Sequence, residues 1–179
     1  MSGIKRLDRT MVYQGNIIEV YQDLMELPDG SHQTWDAVHH RHGAACVVAV
    51  DDEGYILLVK QNRPVLGHDT LELPAGCQDP GEEMIDCAAR ELLEETGYRA
   101  REIAPLMIIN STVATCDEQI DIYEAVAENA GEQHLDPGED INVVRIKLSE
   151  AVDMVLNSKI TDSKTAVGIL AYVTKNKNF

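Results

Sequence analysis

The chain has 179 residues, 44% apolar and 26% charged, with a formal net charge of −16 at neutral pH. That length suits one domain with a real core and a small appendage. An acidic chain without a basic stripe excludes a surface that grips nucleic acid, and no apolar run approaches a membrane span. The opening MSGIKRLDRT does not read as a signal peptide. The cysteines Cys46, Cys77, Cys87 and Cys116 form no metal-type pairs, and Cys46 and Cys87 fall in apolar patterns. Buried thiols of this kind point to a reducing cytoplasm.

From Thr10 to about His40 the pattern is short and strand-like. Ile17, Ile18, Val20, Tyr21, Leu24 and Leu27 lead to a turn at Pro28-Asp29-Gly30, and a second run passes through Trp35, Ala37 and Val38. A meander this small needs something to pack against. Ala44 to Val50 is an apolar strand, and Asp51-Asp52-Glu53-Gly54 turns it into a return strand over Tyr55 to Lys60. Leu71 to Leu73 is a short strand running into Pro74-Ala75-Gly76. A helix is expected over Glu83–Thr96, strands over Ile103–Ile109, Gln119–Ala127 and Asn142–Leu148, and helices over Glu150–Asn157 and Lys164–Thr174. Ser149, and Asp162 or Ser163, are the expected caps of the last two helices. Mixed strands with a few helices define an α+β chain with helices covering a central mixed sheet.

The helix over Glu83–Thr96 carries the chemistry. Ile85, Ala88, Ala89, Leu92 and Thr96 recur at helical spacing and give a buried stripe, and Gly97 supplies the stop. Glu91, Glu94 and Glu95 stand at i, i+3 and i+4, so three carboxylates share a face beside that stripe. Like charges so close repel, and one glutamate tends to hold its proton. A divalent cation removes the conflict, and hard oxygen ligands select Mg²⁺ or Mn²⁺. Arg90 lies one turn before Glu94 and can pair with it, as a strut more than a catalyst. The plain alternative is a solvated acidic helix face.

Between Gly76 and Tyr98 the chain reads GCQDPGEEMIDCAARELLEETGY, which fits G-x5-E-x7-R-E-U-x-E-E-x-G-U at every position, U being bulky and apolar. The segment resembles the Nudix box, the signature of hydrolases that cut a pyrophosphate linked to a nucleoside. The family implies an α/β/α sandwich with a mixed central sheet. The amino-terminal meander, Gly43-Ala44-Ala45, Val59-Lys60-Gln61-Asn62-Arg63-Pro64 and Leu71-Glu72-Leu73-Pro74-Ala75-Gly76 together look like the ADP-ribose pyrophosphatase branch. That resemblance covers most of the chain. It divides it into a meander over 1–41 and a Nudix domain over 42–179, and implies a homodimer with the meander strands exchanged and the active site at the interface. The implied substrate is ADP-ribose or another nucleoside diphosphate sugar.

Residue by residue, the resemblance implies that Glu91 and Glu95 are the main metal ligands, Glu94 a further one, and the Ala75 carbonyl completes the coordination. Arg63 would hold the diphosphate or terminal ribose, for which an arginine fork is well shaped. Arg41 is a second candidate for that work. Trp35, the only tryptophan, would stack on a nucleobase or anchor the dimer interface. The branch takes its base from an acidic loop, here Leu135-Asp136-Pro137-Gly138-Glu139-Asp140-Ile141. Pro137 stands where a glutamate is often the base, which leaves Glu139 first and Glu118 second. Thr112-Val113-Ala114 lacks the proline that marks ADP-ribose preference, so the sugar stays open. Two other classes remain beside this one: a hydrolase of (oxidised) nucleoside triphosphates, and a non-catalytic ligand-binding module on the same fold.

Overall fold

The computed structural model describes residues 3–176. By compactness the chain divides into two units, Met1–Gly43 with Asn110–Gln119, and Ala44–Ile109 with Ile120–Phe179.

The larger unit is built on β4 (Ala44–Asp51). β5 (Tyr55–Arg63) runs antiparallel beside it, and β10 (Ile141–Lys147) runs antiparallel to β5 on the outer side. On the other flank β9 (Gln119–Asn129) runs parallel to β4, from Ala44↔Ile120 to Asp51↔Ala127, and β8 (Tyr98–Asn110) follows it. The short strands β6 (His68–Glu72) and β7 (Ala75–Cys77) pair with β5 and β4. The sheet is mixed, as expected. It reads as apolar throughout β4 because both faces are covered. Cys46, Val48 and Val50 pack in one cluster with residues of α2 (Leu148–Leu156) and α3 (Ser163–Asn176). Ala45, Val47 and Ala49 pack in the other with Cys87, Ala88 and Leu92 of α1 (Met84–Thr96). The period of two in a strand thus divides one run of eight residues between two helical layers.

α1 matches its expected span, but its buried stripe includes Cys87 and Glu95, whereas Ile85 and Ala89 are only partly covered. Its end is fixed by Gly97, whose φ of +72° and N–H bond to the Leu93 carbonyl (2.8 Å) make a left-handed cap. A Cβ there would also sit 2.5 Å from the Gly131 carbonyl oxygen. The expected caps divide. Asp162 caps α3, accepting from the Thr165 N–H (3.1 Å) and hydroxyl (2.6 Å). Ser149 does not cap α2, which starts directly from β10. Lys147, last residue of the strand, already has the extended φ/ψ that an N-cap needs, and no side chain caps the helix.

The smaller unit is an antiparallel sheet of β1 (Lys5–Gln14), β2 (Ile18–Glu26) and β3 (His32–His40) in that order. β1 begins earlier than the sequence pattern suggests, because Lys5-Arg6-Leu7-Asp8-Arg9 carries no apolar alternation. Its pairing is held instead by the Arg9 fork on Asp23, at 2.6 and 2.7 Å. The segment 110–119, inside the expected 42–179 domain, joins this unit through β3. The Val38 N–H donates to the Thr115 carbonyl (2.7 Å), the Asp117 N–H to the Val38 carbonyl (3.1 Å), and the His40 N–H to the Asp117 carboxylate (3.1 Å).

Candidate active site

α1 sets its acidic face against the turn that joins β6 to β7. Glu95, 4% exposed, accepts the Ala75 N–H at 3.0 Å. Glu91 lies over Gly76 so closely that a Cβ on that glycine would fall 2.0 Å from the Glu91 Oε1. The glycine that opens the box thus leaves the room that the Glu91 carboxylate fills. Arg90 ties several groups together. Its Nε and Nη2 hold Glu82 (2.9 and 3.0 Å), its Nη1 holds Glu91 (2.6 Å) and Glu94 (2.9 Å), and its Nη2 also donates to the Cys77 carbonyl (3.1 Å). The pairing with Glu94 that the sequence spacing suggests is present, and the same guanidinium also holds Glu82, the first glutamate of the box.

The electrostatics follow from this crowding. Burial, reinforced by the negative charges of Glu91 and Glu139 and opposed by the Ala75 N–H and by Lys164, pushes Glu95 up to about 8. Burial also raises Glu91, against the pull of Arg90. Glu82 goes the other way, to about 2, chiefly through its Arg90 hydrogen bonds. The thiols of Cys46 and Cys87 are pushed up to about 12, chiefly by burial, and are poor nucleophiles.

Glu139 sits in a turn in which its N–H donates to the Asp136 carbonyl (3.1 Å) and its carboxylate accepts the Asp136 N–H (3.0 Å). It is within electrostatic reach of Glu91 and Glu95. Glu91, Glu94, Glu95, Arg90, the Ala75 turn and Glu139 are thus brought together. Among the described residues no three His, Cys, Asp or Glu side chains are gathered at ligating distance, since Arg90 and the Ala75 amide hold the carboxylates. The donor set nevertheless fits a hard divalent cation: the buried carboxylate of Glu95, the partly buried one of Glu91, the half-exposed one of Glu94 and a carbonyl-bearing turn.

Arg63 is placed differently from a free substrate arm. Its Nε and Nη2 each meet one oxygen of Glu72, both at 2.7 Å. Glu72 also accepts from the Thr70 hydroxyl (2.7 Å) and from the ammonium of Lys164, which bonds Asp162 as well (2.9 Å). Burial alone would raise Glu72, but Arg63, Lys164 and Thr70 together hold it down to about 2. Sequence reasoning missed this network. Its one sequence signal was Asp162-Ser163-Lys164-Thr165 at a helix start, which reads as a cap and nothing more.

Three candidates belong to the smaller unit. Arg41 pairs with Glu19 (3.0 Å). Glu118 lies 3.8 Å from the His40 Nε2, and its N–H points to the Cys116 Sγ (3.5 Å). Trp35 is 42% exposed, donates to Gln33 (3.2 Å), and lines a groove of about 370 Å³ with Arg9, Met25, Val38, Val113 and Cys116.

Comparison with known proteins places this geometry. The NUDIX domain model matches residues 40–165. The chain is 34% identical over 167 residues to an ADP-ribose pyrophosphatase of Bacillus subtilis (strain 168), covering 92% of this chain and 90% of that one. It is 34% identical over 164 residues to an ADP-ribose pyrophosphatase of Mycobacterium tuberculosis (strain ATCC 25618 / H37Rv), covering 89% and 78%. A crystal structure described as an ADP compounds hydrolase superposes with a TM-score of 0.86 over 98% of this chain and 97% of that chain; at 18% identity this speaks for the fold alone. The chain belongs to the Nudix hydrolase family. No helix among the described residues is long and apolar enough to cross a membrane.

Proposed function

We propose that this protein hydrolyses the pyrophosphate bond of ADP-ribose or a related nucleoside diphosphate sugar, giving a nucleoside monophosphate and a sugar phosphate. The observation that carries the reading is the acidic face of α1 closed over the Pro74-Ala75-Gly76 turn, on a chain similar along most of its length to ADP-ribose pyrophosphatases. Glu91 and Glu95 would hold Mg²⁺, with Glu94 and the Ala75 carbonyl as further ligands; Mn²⁺ suits the same donors. Held there, the ion would supply a water of lowered pKa and counter-charge for the diphosphate. Arg90 orients Glu91 and Glu94. Glu139 takes the proton of the attacking water as the P–O bond to the leaving phosphate breaks, with Glu118 the second candidate. Arg63 binds the diphosphate, with Arg41 the second candidate for that work, and Trp35 stacks on the base or seals an interface.

The cytoplasm is the proposed compartment, supported by buried, high-pKa thiols. A homodimer is proposed because the smaller unit exposes Leu7, Met11, Val12, Tyr13, Ile17 and Trp35, and an isologous contact is the commonest way to cover such a surface. A monomeric mass by light scattering at micromolar protein would count against it. Activity is tested by incubating the protein with Mg²⁺ and a panel of ADP-ribose, other nucleotide sugars and nucleoside triphosphates. Release of monophosphate and sugar phosphate is expected. Preference for triphosphates, or turnover of nothing, would overturn the reading.

A further inference from the structure

Arg63 poses a physical problem for any role at a phosphate. Both arms of its fork are occupied by Glu72, whose side chain is only 5% exposed. If Arg63 moved to a diphosphate and left that carboxylate bare, the buried charge would oppose the move. The rest of the network removes the obstacle. Glu72 Oε1 has a second donor, the Thr70 hydroxyl at 2.7 Å, and Glu72 Oε2 has a second donor, the Lys164 ammonium. With Arg63 gone, each oxygen still keeps one hydrogen bond and the carboxylate keeps a cation. Arg63 is also the more exposed member of the pair of cations. Its side chain is 42% exposed, whereas that of Lys164 is 12% exposed and is anchored at the start of α3 by Asp162 (2.9 Å). Asp162 is in turn fixed by Thr165, whose hydroxyl accepts the Leu73 N–H at 2.8 Å, two residues before Ala75.

We propose that Lys164 is a positioning residue that keeps Glu72 neutralised so that Arg63 can exchange Glu72 for the diphosphate of the substrate. This rests on the reading of Arg63 as a diphosphate-binding arm. Lys164 never touches substrate; it sets how readily Arg63 is released. The two cations share one carboxylate in the free protein, and substrate takes the outer one. The inner one stays, so the exchange leaves no unpaired charge in the core.

The test is steady-state kinetics with ADP-ribose and saturating Mg²⁺. Arg63→Ala should raise KM about tenfold or more, the loss of one charge-assisted fork. Lys164→Met should raise KM by about the same order while kcat stays within about threefold, because Arg63 is then locked onto Glu72. Lys164→Arg should restore most of the affinity. Glu72→Gln in the Lys164→Met background should also restore it, since the charge that traps Arg63 is gone. In the Arg63→Ala background, Lys164→Met should add nothing. If Lys164→Met raises KM equally in that background, Lys164 acts elsewhere and the proposal falls while the role of Arg63 stands. If Arg63→Ala leaves KM unchanged, the reading of Arg63 fails and takes the proposal with it. Should Lys164→Met not fold, Glu72→Gln alone decides: a KM at or below wild type supports the exchange, and a higher one overturns it.

Discussion

Replacing Glu95 with glutamine should separate stability from activity. Glu95 is 4% exposed and its Oε2 accepts the Ala75 N–H at 3.0 Å, a bond the glutamine carbonyl can keep. The carboxyl titrates at about 8 in the folded chain against an ordinary 4.5. A carboxyl raised in the folded state is one whose ionisation opposes folding. The cost is absent below about pH 4.5, grows as pH rises through the window to about 8, and is constant above it. The gap between about 8 and the ordinary 4.5 sets a ceiling of about 5 kcal/mol. Water entry and side-chain relaxation reduce it, and about 1–3 kcal/mol is the expected share. In EDTA, Glu95→Gln should therefore match wild type in urea unfolding near pH 5 and exceed it by that amount at about pH 8.5. With Mg²⁺ the same variant should lose about 10²-fold or more in turnover, some 3 kcal/mol of barrier. A variant less stable than wild type at the higher pH, or one with near-normal turnover, refutes the reasoning.

Glu72 predicts the opposite acid behaviour. Its folded pKa of about 2 lies below the ordinary 4.5, so its contribution is complete above pH 4.5 and is lost as pH falls toward 2. Between about pH 6 and pH 3 wild type should lose about 2 kcal/mol more than Glu72→Gln, read by urea unfolding of both; equal losses would show that Glu72 is not held this way. Gly76→Ala places a Cβ 2.0 Å from the Glu91 Oε1, and Glu91 cannot retreat without leaving Arg90. Turnover should fall at least tenfold across a Mg²⁺ titration, and near-normal rates would contradict the close approach. Glu139→Gln should lower kcat strongly with little change in KM, and more than Glu118→Gln does. Recovery at high Mg²⁺ would make Glu139 a metal ligand instead of the base, and wild-type rates throughout would remove it from the mechanism.

The helix that carries the box was legible because everything that defines it is local: an apolar stripe, three glutamates on one face, a glycine stop. The apolar run of β4 was legible too, though its division between two helical layers was not, since periodicity cannot say what lies on either side of a strand. What stayed hidden depends on partners remote in sequence. Glu72 and Lys164 are 92 residues apart, and no pattern joins them. Segment 110–119 gave no sign of its partner because its pairing with Val38 is made by backbone groups, which every sequence possesses, and the Asp117 carboxylate that takes the His40 N–H lies 77 residues away in the chain. β1 was read short because charge pairs such as Arg9 with Asp23, and not alternation, hold it to β2.

Arg90 has a consequence for how this protein meets its metal. The guanidinium already supplies a counter-charge to Glu82, Glu91 and Glu94, so the acidic helix can fold and persist with no ion present. A cation held by Glu91 or Glu94, as proposed, would gain only the difference between its own attraction and the bond to Arg90 that the carboxylate gives up. Loading is then a competition between an internal and an external cation, and the occupied fraction tracks the free metal concentration around the protein.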